Sequence, residues 1–230
     1  FSLRVYVLPS ARYQLPVEQT AELERLIRDT LVGEVGLPLK SVSRHLETTG
    51  VIVRTRDEVT AYGEPNTFLN ETNLAVLPGI AERLDFVQGE SMQDAPSTAE
   101  GLNVWMHKSV ADEMGTGVGE KFEIRDLRRG VIIPIRTAGI WVASNPDDPY
   151  WFQDPNVSLR KLMLVREKDY QAIVEPAMNA QLGFVSWYLI MDESKLQPEQ
   201  MQEYAAGLEE GVKIISKFLP DTRVDSSPLE

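Results

Sequence analysis

The chain opens on alternation. Phe1 to Leu8 places apolar and polar residues in turn, the period of a strand with one buried face. Pro16 then occupies a first helical position. Leu23, Leu26, Ile27 and Leu31 recur at helical spacing, with Gly33 placed to end the helix. Val51 to Thr55 predicts a second strand, so the opening reads β-α-β. Asp57 to Glu71 is polar and holds the turn formers Gly63, Pro65 and Asn66, which mark a long surface loop. Leu74 to Leu77 is a short buried run, and Gly79 to Leu84 suits one or two helical turns.

From Asp85 to Ile140 the pattern shifts to short apolar runs separated by glycines: Val104–Met106, Phe122–Ile124, Val131–Ile133 and Ala138–Val142. A short helix, Lys108 to Met114, is closed by Gly115. Pro134 demotes its strand to an edge or a bulge. Asn145-Pro146-Asp147-Asp148-Pro149 is a turn cluster. The last third predicts a strand at Lys161–Val165, a helix from Asp169 to Met178, and an aromatic, β-branched strand at Phe184–Met191. Pro198 opens a long helix with Met201, Ala205, Leu208, Val212, Ile215 and Phe218 on its apolar face, stopped by Pro220.

The expected fold class is therefore α+β with two lobes. A βαβ-type mixed α/β lobe takes residues 1–77 and 157–222, from both chain ends. A β-rich lobe of residues 78–156 is inserted in it, and 223–230 is a tail. Both chain ends come close together, which suits insertion between two other segments.

Composition narrows the function. The 230 residues are 43% hydrophobic and 25% charged, with a net charge of −12 and an isoelectric point near 4.7. Such a surface repels phosphate backbones, so nucleic acid is not an expected partner. With no cysteine, disulfides, thiol catalysis and thiolate metal sites are excluded. No run reaches the roughly 18 apolar residues of a membrane helix. The chain starts in mid-strand without a methionine, and we read it as a fragment whose natural start lies upstream.

One stretch resembles a known family. Gly101-Leu102-Asn103-Val104-Trp105-Met106-His107-Lys108-Ser109-Val110-Ala111-Asp112-Glu113-Met114 is similar to a strand leading into a short helix in MacB/FtsX-like permeases. Gly115-Thr116-Gly117-Val118-Gly119-Glu120-Lys121-Phe122-Glu123-Ile124 follows as the Gly-rich turn that starts a strand. Ile133 to Trp141 and Phe86-Val87-Gln88-Gly89 resemble the strands that flank it. Glu120 stands where the family usually has Asp, Glu90 where it usually has Arg, and Asp147–Phe152 lies outside the pattern. The resemblance implies a noncatalytic extracytoplasmic domain of an ABC transporter permease, at the cell membrane, with porter-like and sabre-like lobes. It implies motion driven by a cytoplasmic ATPase subunit or domain and passed to an exported or extracted substrate or partner, beside a second permease copy. No catalytic, cofactor-binding or metal-binding residue is carried over.

Other candidates come from the residues alone. Gly115, Gly117 and Gly119 invite a phosphate-loop reading, but a helix precedes them and a strand follows, the reverse of the required order. His45 and His107 are the only histidines, and neither has H-x-x-x-H spacing. Asp147, Asp148 and Asp154 lie beside Tyr150, Trp151 and Phe152. The aromatic residues are a candidate partner contact. That allows an alternative reading as an extracellular sensor or ligand-binding module. The aspartates allow a further one as a carboxylate-dependent hydrolase, if two carboxyl groups face each other across a cleft. Asn70-Glu71-Thr72 and Asn156-Val157-Ser158 match the glycosylation pattern.

Overall fold

A computed structural model describes residues 1–10, 13–56, 61–93, 95–98, 101–126, 128–179 and 182–226. The chain runs β1 (Ser2–Val7), α1 (Val17–Val35), β2 (Leu39–Thr48), β3 (Val51–Thr55) and β4 (Phe68–Val76), then a 3₁₀ turn (Ile80–Arg83). Next come β5 (Leu84–Gly89), β6 (Leu102–His107), α2 (Lys108–Met114), β7 (Lys121–Asp126) and β8 (Val131–Ala143). It ends with α3 (Pro155–Ser158), β9 (Leu162–Leu164), α4 (Glu167–Asp169), a π turn (Tyr170–Val174), α5 (Glu175–Ala177), β10 (Leu182–Met191), α6 (Met201–Phe218) and β11 (Arg223–Ser226).

The two chain ends build a four-stranded antiparallel layer in the order β11-β1-β10-β2. β10 separates β1 from β2, and β1 separates β10 from β11. Two β-α-β units, β1-α1-β2 and β10-α6-β11, are thus interleaved, the split arrangement of ferredoxin-like folds. Leu3, Val5 and Val7 of β1 and Val185, Trp187 and Leu189 of β10 alternate onto one face and are fully buried. α1 covers that face with Ile27 and Leu31. α6 lies against α1, and a Cβ on Gly207 would sit 2.1 Å from the Glu34 carbonyl oxygen, so only glycine permits the approach.

Six further strands close on themselves. β4 pairs β3, β3 pairs β7, β7 pairs β8, β8 pairs β6, β6 pairs β9, and β9 returns to β4. Inside the ring lie Val53, Leu74, Val104, Met106, Phe122, Ile124, Ile135 and Met163. Its wall carries a second cluster outside, where Trp105, Ala138, Trp141 and Leu164 are covered by Ile80, Leu84, Met92 and Leu159. β2 joins layer to ring through two pairs only, Leu46↔Val76 and Glu47↔Ala75. The core is nevertheless shared: residues of the layer, α1 and the ring belong to one buried cluster.

Several expectations are corrected. The opening runs β1-α1-β2-β3: β2, which the sequence reading missed, precedes the expected strand at Val51–Thr55, and β10 lies between β1 and β2 in the sheet. Three consecutive buried residues, Arg44, His45 and Leu46, hide the alternation of β2, because both of its faces are covered. Helix α1 does not stop at Gly33; it runs to Val35 and ends on Gly36, whose φ of 76° takes the left-handed cap while its N–H donates to the Val32 carbonyl. The polar stretch 57–71 is not all loop, since β4 starts at Phe68; residues 57–60 lie outside the described ones. β8 is an interior strand rather than an edge: it pairs β7 up to Arg136 and β5 from Gly139 on one side, and β6 on the other. Pro134 is tolerated because β6 joins only from Ile135.

The helix expected at 169–178 begins at Glu167 and widens into a π turn before Pro176, a residue with no N–H for a regular turn. The buried face of α6 is Tyr204, Gly211 and Ile215, whereas Met201 and Ala205 are exposed. Residues 223–226 of the expected tail form β11; 227–230 lie outside the described residues. Pairing in the ring crosses the boundaries drawn from the sequence, because β3, β4 and β9 come from 1–77 and 157–222 while β6, β7 and β8 come from 78–156. Among the described residues, no helix is long and apolar enough to cross a membrane.

Candidate functional site

Among the described residues, neither long helix, α1 or α6, covers the layer's second face. Register places Arg4, Tyr188 and Ser43 in one row across β1, β10 and β2, and Tyr6, Ser186 and His45 in the next. The segment leaving β8 for α3 lies over this face as a strap. Phe152 stacks on Tyr188 with ring centroids 5.1 Å apart, and the Arg4 guanidinium lies 4.8 Å from the Tyr6 centroid and 5.6 Å from that of Phe152. Arg4 is itself paired with Asp225 of β11.

The turn cluster gives the strap its shape. The Asp148 N–H donates to the Asn145 carbonyl. The Tyr150 N–H donates to Asp148 Oδ1 at 2.8 Å, and Trp151 Nε1 donates to the Asn145 carbonyl at 2.8 Å. Arg83 donates from Nη1 to Asp148 Oδ2 at 2.8 Å, and its guanidinium stacks 3.9 Å from the Tyr150 centroid. Tyr150 and Trp151 meet edge to face at 5.0 Å. Burial pushes the Tyr150 phenol above its ordinary pKa, against the opposing hydrogen bond with Ser43 and charge of Arg83.

Between strap and sheet is a cleft of ≈ 410 Å³, a figure that includes its open mouth. Tyr150, Trp151, Phe152 and Tyr188 supply ring walls, and Ser43 and His45 line the floor. The three strap rings are half-buried rather than displayed on the surface. Arg44 also lines the cleft but carries its guanidinium to the helix side of β2. There Nη1 donates to Thr20 Oγ1 at 2.8 Å and Nη2 to Glu167 Oε1 at 3.0 Å.

His45 is 6% exposed. Its Nε2 lies 3.0 Å from Glu47 Oε1, within ion-pair reach, but is not aligned with it as a hydrogen bond. Glu47 Oε2 accepts from Asn73 Nδ2 at 2.7 Å. Burial opposes ionisation of Glu47, yet the His45 contact and the Asn73 amide together bring its pKa below the ordinary value.

The other candidates have structural roles. His107 caps α2: Nδ1 accepts from the Ser109 N–H at 3.2 Å, and Nε2 lies 3.1 Å from Asn156 Oδ1, tying α2 to α3. Asp154 caps α3 by accepting from the Asn156 N–H at 2.9 Å. Asp148 is held by Arg83, and Asp147 is exposed. Gly115 ends α2 with φ 65°, and β7 rather than a helix follows the turn. Asn70 lies within β4, and its Nδ2 contacts Met114 Sδ at 3.6 Å. Among the described residues, no group of three or more His, Asp or Glu is gathered as metal ligands would be.

The sequence reading thus found the strap rings and both histidines but not the sheet residues beneath them. Ser43, Glu47 and Tyr188 needed β2 to be recognised and set beside β10. The alternation Phe184, Ser186, Tyr188 carried part of that signal.

Comparison with known proteins gives little. No family model matches the chain, and no curated protein matches it. Among solved structures it is similar to one described as a domain of a "putative Permease protein" from Porphyromonas gingivalis. The TM-score is 0.44 at 14% identity, over 100% of this chain and 90% of that one. A likeness of that size is too weak to carry a function from one chain to the other.

Proposed function

We propose that this chain is a noncatalytic extracytoplasmic domain of a transporter permease of the MacB/FtsX-like kind. It would pass motion driven by a cytoplasmic ATPase to an exported or extracted substrate or partner, working beside a second permease copy. The observation that supports this most is the pairing of the first strand with the last. β1 and β11 are antiparallel neighbours with Leu3 opposite Ser226, so the start of β1 and the end of β11 lie about 5 Å apart at one end of the layer. Such a placement suits a domain spliced between two successive membrane segments. The resemblance across Phe86–Trp141 adds to it: β5, β6, α2, the glycine turn, β7 and β8 occupy that stretch in the order of the family pattern.

The test is the sequence on either side of residues 1 and 230 in the full-length gene product. Apolar runs of about 20 residues on both sides support the reading; their absence on either side defeats it. A purified domain that hydrolyses ATP saturably, with the activity tracking the protein, also defeats it.

A second reading, an extracellular ligand-binding module, is favoured by one observation. The strap rings line a concave, partly apolar cleft instead of packing wholly into the core.

A further inference from the structure

We infer that the cleft between the strap and the sheet is a site for a small organic cation bearing an alkylated ammonium group. The inference rests on the ligand-binding reading and names its ligand class. It does not depend on the chain being part of a permease.

Three observations converge. First, the walls are rings: Tyr150, Trp151, Phe152 and Tyr188. Aromatic faces attract cations through their quadrupole, and more strongly where water is excluded. The same rings already hold guanidinium groups, Arg83 on Tyr150 and Arg4 on Phe152, and neither arginine lines the cleft. Second, the strap itself is acidic. From Asn145 to Val157 it has Asp147, Asp148 and Asp154 and no lysine or arginine, within a chain of net charge −12; Asp148 is paired with Arg83, and Arg44, which lines the cleft, gives its charge to Glu167. Such a field concentrates cations at the mouth. Third, the floor has an incompletely matched pair. The buried His45 at the floor has its Nε2 3.0 Å from Glu47 Oε1 without hydrogen-bond alignment. Glu47 lies behind His45 and does not line the cleft; its other oxygen accepts from Asn73, and no arginine or lysine contact is among these partners. An ammonium in the cleft would add a positive charge on the near side of this pair.

Because the ≈ 410 Å³ counts the open mouth, the ring walls and not the volume point to the ligand class. Methylated nitrogen is favoured over a bare ammonium, because it gives up less hydration on entering a ring-lined space.

The fold provides its own reporter. Trp105, Trp141 and Trp187 are 0% exposed, while Trp151 is half-buried at the cleft. The purified protein is titrated with choline and, separately, with its neutral isostere 3,3-dimethylbutan-1-ol. Trp151 emission is followed with sodium chloride as the ionic-strength control. Choline is expected to shift the emission saturably, with the isostere binding about tenfold more weakly or less well still. Phe152→Leu keeps the apolar bulk but removes a ring, and is expected to weaken choline severalfold and the isostere by distinctly less. Unaltered far-ultraviolet circular dichroism confirms that this variant is folded. Equal binding of choline and isostere would overturn the cation claim and leave a ligand-binding module with an apolar socket. No saturable response to either, or one reproduced by sodium chloride, would overturn both.

Discussion

At the scale of residues, the polar groups of this chain are mostly committed to holding elements together. His107 is the clearest case, since its Nδ1 does the work of a helix N-cap while Nε2 reaches α3. His107→Ala is expected to cost about 1–2 kcal/mol. His107→Asn should recover part of that, because asparagine is a strong N-cap; urea unfolding of the three proteins measures both.

Glu47 and Asp169 are two of the carboxylates that link stability to pH. Burial disfavours the charged form of Asp169, but Arg166 hydrogen bonding and charge outweigh it, with help from Ser97, and lower its pKa. A carboxylate whose folded pKa is lowered stabilises above its unfolded value, and that stability is lost as pH falls through the folded value. The domain should therefore weaken as pH drops below about 4. Glu47→Gln should have a flatter stability profile in that range. An equally steep profile in the variant would show that Glu47 is not one of the linked groups.

At the scale of elements, close approach is what the helices depend on. Gly207→Ala places a methyl group against the Glu34 carbonyl and should destabilise by about 1–3 kcal/mol as α6 is pushed from α1. Gly117→Ala is the control: only Glu120 Oε1 comes within reach, at 4.0 Å, and its backbone is not left-handed. Thermal unfolding should separate the two substitutions clearly.

Elements whose residue types carry the pattern were legible in the sequence: β1 by alternation, α2 by its caps, and β6 and β10 by their apolar and aromatic residues, although β6 is buried throughout. β2 was not legible, because α1 covers one side of it and the strap the other and the residues buried there include the polar Arg44 and His45. The start of β4 was masked by its polar residues, and the expected apolar face of α6 was right at Ile215, Leu208 and Phe218 but included exposed Met201 and Ala205 and left out Tyr204 and Gly211. The strap rings were visible as a local cluster, but the cleft was not. Half of it comes from Ser43, His45 and Tyr188, which long-range pairing alone brings together.

At the scale of the whole molecule, the layer and the ring touch through two strand pairs yet share one buried cluster. Unfolding one part would expose core belonging to the other. Calorimetry should accordingly give one transition, with van't Hoff and calorimetric enthalpies in agreement. Two resolved transitions would mean that the shared core does not couple the parts. Arg4 adds a further link within this unit, pairing with Asp225 of β11 and lying 5.6 Å from the Phe152 ring centroid of the strap.

The central claim is that this domain stands outside the cytoplasm between membrane segments, and the absence of native cysteine in it makes that directly measurable. Val157 is 74% exposed on α3, and Val157→Cys in the full-length protein, with any cysteine elsewhere removed, provides a single accessible thiol. Intact cells are treated with a membrane-impermeant maleimide, for a Gram-negative host after permeabilising the outer membrane alone. The account predicts labelling at the level reached after complete lysis. Labelling only after lysis of the inner membrane would place the domain in the cytoplasm and contradict it.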